Sequence, residues 1–246
     1  MRIKLDTKIS VNSIIQATNG ITGLDKEMSF SSITTDSREC CPGDLFIAID
    51  GETDSGENYI DQVIKIGAFA LSKTSSIGCI CVPDTVEALL QIASNYIKTL
   101  PFILYIIGIT GSVGKTTTKE FAKIILSERF IVHSNPSSYN NALGLSLSIL
   151  SAPKNTQILL MELGMNHAGE IGRLSKYLHP DMAIITNIGR AHIGNLGSRE
   201  AIAKAKLEIL SGMKDGTVFV PFGEKLLCEI EEKITLYILP IYRCFR

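Results

Sequence analysis

Short apolar runs alternate with helix-like patterns in the first hundred residues. The runs at residues 45–49, 68–71 and 79–82 have the length and composition of buried strands. Residues 60–66 and 86–98 instead repeat apolar positions at the spacing of amphipathic helices. This combination predicts a small α/β domain, and Pro101 follows its last helix.

Beyond Pro101 the alternation becomes regular. In the first predicted helix, Phe121, Ile124 and Ile125 share one apolar face. The repeated strand and helix pattern predicts a doubly wound, mostly parallel sheet. The predicted strands are 102–110, 130–133, 157–163, 182–188 and 218–220, and the predicted helices are 116–126, 141–150, 168–178 and 198–213.

These patterns divide the chain into a small α/β domain at residues 1–100 and a second α/β domain, with the doubly wound sheet, at residues 101–246. Ligands of such sheets bind outside the carboxyl ends of the strands. Thr110, Glu162 and Asn187 each come late in a predicted strand. We therefore expect these three residues to line one crevice.

The charge balance argues against some classes of partner. Lys and Arg number 24 against 25 Asp and Glu, so nothing attracts the chain to nucleic acid or to an anionic membrane. The amino terminus has no continuous apolar stretch of the signal-peptide kind, and the apolar run at 102–107 is far shorter than the ~20 residues that cross a bilayer. We expect a cytoplasmic monomer without nucleic-acid partner or membrane insertion.

The cysteines do not have the paired spacing of a zinc site. Nothing in the sequence indicates an oxidising compartment, so we expect free thiols, and a metal or redox role is the alternative. The six residues are Cys40, Cys41, Cys79, Cys81, Cys228 and Cys244.

The segment TGSVGKTT joins a predicted buried strand to an amphipathic helix, as a phosphate-binding loop must. Gly111 and Gly114 allow backbone N–H groups to point inward, Lys115 brings a positive charge, and the Thr116 hydroxyl is a suitable ligand for Mg²⁺. The predicted ATP-binding residues are Gly111, Ser112, Val113, Gly114, Lys115, Thr116 and Thr117.

Ile109 replaces the first glycine of the strict phosphate-loop pattern, so a glycine-rich turn that only opens a helix is the alternative. The variant loop resembles the ATP loop of the Mur ligase family. The resemblance implies an enzyme that uses ATP and Mg²⁺, with Lys115 among the catalytic residues, to join an amino acid or peptide to a UDP-N-acetylmuramoyl precursor.

Two later segments extend the resemblance. MELGMNHAGEI, at residues 161–171, is similar to the subgroup that adds D-alanyl-D-alanine to UDP-N-acetylmuramoyl-tripeptide, which implies these two partners. It also implies that Glu162 ligates Mg²⁺; the alternative, a buried carboxylate without a partner, is costly. TNIGRAH, at residues 186–192, implies that His192 is catalytic and ligates a second Mg²⁺, and a surface histidine is the alternative.

The segment SYNNALG, at residues 138–144, resembles the family segment that faces the substrate and the γ-phosphate. The resemblance implies a catalytic role for Asn140 and precursor binding by Asn141. Without the family, this segment is a helix-capping loop, because asparagine is common at helix starts for capping alone.

Lys206 is singled out by its position on a predicted helix. Lys204 and Glu208 lie on the opposite face, four residues apart, and can pair. A buried ammonium must be paired, neutralised or modified. The resemblance implies that Lys206 is catalytic and is carbamylated, with the carbamate holding Mg²⁺; a lysine that reaches solvent is the alternative. The face of Lys206 also carries Ile202, Ile209, Leu210 and Met213.

The front domain carries TDSR at residues 35–38, followed by Phe46, and this region resembles the family's uridine-nucleotide site. The implied precursor-binding residues there are Asp36, Ser37, Arg38 and Phe46. A loop salt bridge between Asp36 and Arg38 is the alternative. The nearby segment DSGENY follows the family only in part, because histidine is usual at Glu57.

The resemblance ends near residue 220. It implies that the central ATP-binding domain is incomplete in this sequence, that the C-terminal ligase domain is absent, and that residues 221–246 have no family counterpart. Two other functions stay open: a catalytically silent nucleotide-binding module, and another ATP-dependent amide ligase of the folylpolyglutamate or cyanophycin type.

Overall fold

The structure is a computed structural model of the 246-residue chain. It describes residues 1–136, 138–191 and 193–227, and the backbone of residues 235–239. The described residues form two compact units. The first comprises Met1–Pro101 and Ser146–Lys154, and the second comprises Phe102–Leu145 and the described residues from Asn155 onward.

The first unit contains a five-stranded sheet with the strand order β1-β2-β3-β4-β5. Strands β1 and β2 are antiparallel, and the remaining neighbours are parallel. The strands are β1 (Arg2–Ser10), β2 (Ser29–Thr34), β3 (Leu45–Ile47), β4 (Phe69–Ser72) and β5 (Cys79–Cys81), and the helices are α1 (Val11–Thr18), α2 (Ile60–Lys65) and α3 (Thr85–Ile97).

Strand β1 and helix α1 are elements that the sequence analysis did not predict. Ile3, Leu5 and Ile9 are buried, whereas Lys4 and Lys8 are exposed. This is the period-2 alternation of a strand with one face on a core. The signal lies in the alternation of apolar and charged residues at the amino terminus.

The second unit contains a six-stranded sheet with the order β11-β10-β9-β6-β8-β7, and every pair in it is parallel. Its strands are β6 (Tyr105–Thr110), β7 (Val132–Ser134), β8 (Ile158–Glu162), β9 (Met182–Ile185), β10 (Thr217–Pro221) and β11 (Thr235–Leu239). The helices after Pro101 are α4 (Lys115–Ser127), α5 (Ala142–Leu150), α6 (Glu170–Leu178), α7 (Ile193–Leu196) and α8 (Arg199–Leu207). The predicted α/β fold with a mostly parallel sheet is confirmed.

The apolar face of α4 that carries Phe121, Ile124 and Ile125 does not pack on the sheet. Ile125 is 70% exposed, and Phe121 and Ile124 are exposed beside it. The buried face instead carries Ala122 and Leu126, which pack against the core of the sheet. Helix α4 has apolar residues on two opposite faces, and spacing alone does not tell which of them meets the sheet.

The predicted helix at residues 198–213 is too long at its carboxyl end. Helix α8 ends at Leu207 and continues as a 3-10 turn, Glu208–Gly212.

Among the described residues, no helix combines the length and the apolar character that crossing a bilayer requires.

Candidate functional site

The loop between β6 and α4 has the backbone of a phosphate-binding loop. Gly111 has φ +149° and Gly114 has φ +81°, and a side chain at Gly111 would also lie 1.8 Å from Oγ1 of Thr186. Both positions therefore require glycine. Gly114 precedes α4 without a side-chain cap, so the first N–H groups of the helix can bind an anion.

Asn187, which lies just past the end of β9, holds this loop in place through hydrogen bonds. Its Oδ1 accepts hydrogen bonds from the N–H groups of Ser112, at 3.0 Å, and Val113, at 2.9 Å. Ser112 in turn accepts a bond from the N–H of Gly189 through its Oγ. Nζ of Lys115 donates to the carbonyl oxygen of Gly111 at 2.9 Å, so the lysine folds back over the loop.

The residues of the predicted crevice lie at one edge of the sheet. Strands β8, β6 and β9 are neighbours and parallel, so Glu162, Thr110 and the residues just past Ile185 share their carboxyl ends. Oγ1 of Thr110 also donates to the carbonyl oxygen of Leu163 at 3.0 Å. The loop and Glu162 are thereby held together.

Glu162 is 2% exposed and receives only neutral donors among the described side chains. Its Oε2 accepts a bond from the Thr116 hydroxyl at 2.8 Å, and its Oε1 accepts one from Nδ2 of Asn140 at 3.0 Å. None of the ion pairs found among the described residues includes Glu162. A buried carboxylate beside a hydroxyl fits a hard cation such as Mg²⁺, which would supply the missing positive charge.

Lys206 points inward, as its spacing predicts, and is 2% exposed. Burial, and after it the positive charge of Lys115, lower the pKa of Lys206 to about 8. About a tenth of this amine is therefore uncharged at pH 7, far more than for an ordinary lysine. An uncharged amine beside a second cation is suited to become an anionic carbamate.

The predicted pairing of Lys204 with Glu208 is replaced by a different contact. The Glu208 carboxylate accepts bonds from the N–H groups of Gly169, at 2.7 Å, and Gly172, at 3.1 Å. A carboxylate at a helix start satisfies N–H groups that have no partner in the helix. Glu208 therefore caps α6 rather than balancing the charge of Lys204.

The two neighbouring asparagines have different contacts: Asn140 lies at the candidate site, and Asn141 caps a helix. Asn140 reaches Glu162, whereas Oδ1 of Asn141 accepts a bond from the N–H of Gly144 at 2.8 Å and caps α5. Val113 and Thr117 of the loop have exposed side chains. His192, predicted as a catalytic residue and metal ligand, lies outside the described residues.

The first unit contains a cavity of about 430 Å³ that is lined by all four predicted precursor-binding residues of the front domain. The volume is in the range of small-molecule sites. Phe46 contributes from the hydrophobic core, since it is buried against Ala48 and Val63. The lining of the cavity includes Asp36, Ser37, Arg38, Phe46 and Tyr59. Asn141, the fifth predicted residue, belongs to the second unit.

Arg38 and Asp36 form the loop salt bridge that the sequence left open. Nε and a terminal nitrogen of Arg38 lie 2.8 Å and 2.7 Å from the two Asp36 oxygens. Arg38 thereby holds the pKa of the Asp36 carboxyl well below its usual range. Glu57, where the family usually has histidine, accepts bonds from the N–H groups of Lys73 and Thr74 and closes the turn after β4.

Two buried residues near the loop escaped the sequence analysis. Lys119 lies inside the second unit and donates to the carbonyl oxygen of Asn135. A signal existed, because Lys119 is four residues after Lys115, on the helix face that carries Ala122 and Leu126.

The four described cysteines, which include Cys40, are free thiols, and Cys228 and Cys244 lie outside the described residues.

A parallel sheet with a glycine loop and lysine after a central strand defines a phosphate-loop protein. The family model "Mur ligase middle domain" matches residues 109–236, which is just over half of the chain. The chain belongs to the Mur ligase family.

Several curated relatives carry the same name. The UDP-N-acetylmuramoyl-tripeptide--D-alanyl-D-alanine ligase of Bacillus subtilis (strain 168) is 40% identical over 204 residues, which are 80% of this chain and 44% of the relative. The chain thus spans less than half the length of this curated relative.

Solved structures agree with this assignment. A crystal structure of MurF from Acinetobacter baumannii has a TM-score of 0.86 and 34% identity, and covers 95% of this chain and 53% of that chain. MurF ligase from Thermotoga maritima in complex with ADP has a TM-score of 0.78 and 31% identity, and covers 84% of this chain and 49% of that chain.

Proposed function

We propose that this chain belongs to an ATP-dependent ligase that adds D-alanyl-D-alanine to UDP-N-acetylmuramoyl-tripeptide during the synthesis of peptidoglycan precursors. The observation that carries the proposal is the arrangement of three groups in the second unit. The phosphate loop with Lys115, the buried Glu162 and the buried Lys206 form one constellation around the start of α4. The names of the relatives supply the substrates.

The reaction is the formation of an amide bond driven by ATP. The terminal carboxylate of the tripeptide attacks the γ-phosphorus of ATP, ADP leaves, and an acyl phosphate forms. The amine of D-alanyl-D-alanine then attacks the acyl carbon, loses a proton, and displaces inorganic phosphate. In this chain the loop N–H groups and Lys115 bind and orient the phosphates.

Thr116 and Glu162 would hold Mg²⁺, which supplies positive charge for the phosphate oxygens when it is bound. Lys206 would contribute as a carbamate, formed when its uncharged amine adds CO₂ and releases a proton. The carbamate exchanges a destabilised cation for an anion next to Lys115. Asn140 orients Glu162 from the other side.

The UDP part of the precursor would bind in the cavity of the first unit. Its lining combines the Ser37 hydroxyl and the guanidinium of Arg38 with the aromatic ring of Tyr59. Arginine binds diphosphates through paired hydrogen bonds. The Asp36 carboxylate now takes those donors, so binding requires Arg38 to exchange one anion for another.

The test is release of phosphate from ATP in the presence of Mg²⁺, UDP-N-acetylmuramoyl-tripeptide and D-alanyl-D-alanine, with the ligated product followed by mass spectrometry. We expect release that requires both substrates, is abolished by Lys115→Ala and falls short of full turnover, because the chain spans only 44% of the relative. Binding of ATP without any product would favour a silent nucleotide-binding module instead. Equal ATP binding by the chain and by Lys115→Ala would contradict the proposal as a whole.

A further inference from the structure

Helix α4 contains a buried lysine that the proposed reaction does not use. Lys119 is 0% exposed. Its ammonium donates to the carbonyl oxygen of Asn135 and lies 3.3 Å from Oε1 of the half-exposed Glu120. Burying an ammonium costs several kcal/mol unless hydrogen bonds and a counter-charge compensate. An apolar side chain would pack there without that cost, so the lysine needs another explanation.

Asn135, the partner of Lys119, forms hydrogen bonds with both backbone groups of Glu162. The Asn135 side chain is buried, its Oδ1 accepts a bond from the N–H of Glu162 at 2.8 Å, and its Nδ2 donates to the carbonyl oxygen of Glu162 at 2.9 Å. Nδ2 also donates to the carbonyl oxygen of Tyr139 at 2.7 Å, just before Asn140. One side chain therefore holds both the end of β8 and the approach to Asn140.

Helix α4 consequently reaches Glu162 by two routes. The first is direct, from the Thr116 hydroxyl to Oε2. The second runs from Lys119 through Asn135 to the backbone of Glu162. Thr116 and Lys119 lie three residues apart, nearly one helical turn. The two routes close a ring of hydrogen bonds that leaves the carboxylate little freedom to rotate or shift.

We propose that Lys119 is a positioning residue: it holds Asn135, and through Asn135 it sets the carboxylate of Glu162 in the arrangement that binds Mg²⁺. The inference rests on the proposed function, in that it assumes nucleotide and Mg²⁺ bind at the loop. Residues that orient a metal ligand typically change metal affinity by about 10- to 100-fold when they are removed. In the proposed arrangement, Lys119 contacts neither the Mg²⁺ nor the nucleotide.

The experiment measures ADP binding by calorimetry, once with EDTA and once across a Mg²⁺ titration. We compare the unaltered chain with Lys119→Met and Asn135→Ala. Lys123→Met is the matched control, because Lys123 is half-buried one turn further along α4 and has no bond to Asn135 or Glu162 in the described structure. Thermal unfolding shows which variants are folded.

We expect Lys119→Met to leave metal-free ADP affinity within about twofold and to raise the Mg²⁺ concentration for half-maximal enhancement by about tenfold or more. Asn135→Ala should act alike, and the double variant should add little, since both changes break one chain of contacts. Lys123→Met should match the unaltered chain. A purely structural role would instead weaken ADP binding equally with and without Mg²⁺.

Unchanged Mg²⁺ dependence in a folded Lys119→Met protein would overturn the inference and leave the proposed function intact. Should Lys119→Met not fold, Asn135→Ala decides the question by the same criterion. Failure of the unaltered chain to bind ADP, or to respond to Mg²⁺, would overturn the proposed function and this inference with it.

Discussion

Lys206 lies close enough to Lys115 that the positive charge of Lys115 lowers the pKa of Lys206. Burial of Lys206 is the larger cause, and together they bring its pKa to about 8. Two ammonium groups in this position are stable only with an anion beside them. The pair therefore favours an anion at this site, whether phosphate, carboxylate or carbamate.

The lowered pKa of Lys206 predicts a pH-dependent stability. Below about pH 8 the lysine is protonated in both the folded and the unfolded chain, and the full cost of burying its charge applies. Between about pH 8 and 10.5 the folded chain has lost a proton that the unfolded chain retains, so the free energy of unfolding rises with pH. The rise amounts to about 3 kcal/mol.

Lys206→Met isolates this contribution, because every other titrating group is common to both proteins. In buffer free of CO₂ we expect the variant to be the more stable protein near pH 7, and its advantage to shrink as the pH approaches 10.5. Urea unfolding of the second unit at several pH values measures the difference. A difference that stays constant across the range would contradict a depressed pKa at Lys206.

Carbamylation of Lys206 predicts a spectroscopic signal. With ¹³C-labelled bicarbonate, the folded chain should show a carbamate carbon resonance from Lys206 in the ¹³C spectrum, separate from that of the terminal α-amino group, since only an uncharged amine reacts and the pKa of Lys206 is about 8. Lys206→Met should remove the resonance. Lys204→Met is the control, because Lys204 is on the same helix but exposed, and it should leave the signal unchanged. Persistence of the signal in Lys206→Met would assign the carbamate to another amine.

Gly111→Ala should abolish nucleotide binding, because the loop has no room for a side chain at this position. The new methyl group would lie 1.8 Å from Oγ1 of Thr186, at a φ of +149° that side chains rarely adopt. The loop must shift, and its N–H groups then lose their common direction. Gly194→Ala is the matched control, because a methyl group there meets no atom of the described residues within 4 Å. Calorimetry with ADP compares the two; tight binding by Gly111→Ala would show that the loop conformation is not required.

The features that could be predicted from the sequence are those with a local signal. A buried strand, the glycine loop and an amphipathic helix follow one another within residues 105–127, so the loop at Lys115 was found with the correct context. Lys206 was found because its helical neighbours are apolar. The role of Asn141 as a cap likewise depends only on Gly144, three residues away.

The features that could not be predicted depend on residues distant in sequence. Glu208 was assigned to Lys204, four residues away, but it caps a helix that begins nearly forty residues earlier, and only the packing of α6 on the 3-10 turn after α8 brings them together. Asn135 meets Glu162 across 27 positions because β7 pairs with β8 in a particular register. Spacing carries no information about either contact.

The exposed face of α4 predicts opposite outcomes for the same substitution at two adjacent residues. Ile125 is 70% exposed, whereas Leu126 packs against the sheet core. Ile125→Glu should change the free energy of unfolding by no more than about 0.5 kcal/mol, as exposed substitutions usually do. Leu126→Glu places a carboxylate against apolar side chains and should cost about 2 kcal/mol or more. Urea unfolding of both variants makes the comparison with an identical introduced residue. An equal or larger loss for Ile125→Glu would mean that the face with Phe121 and Ile124 is the buried one.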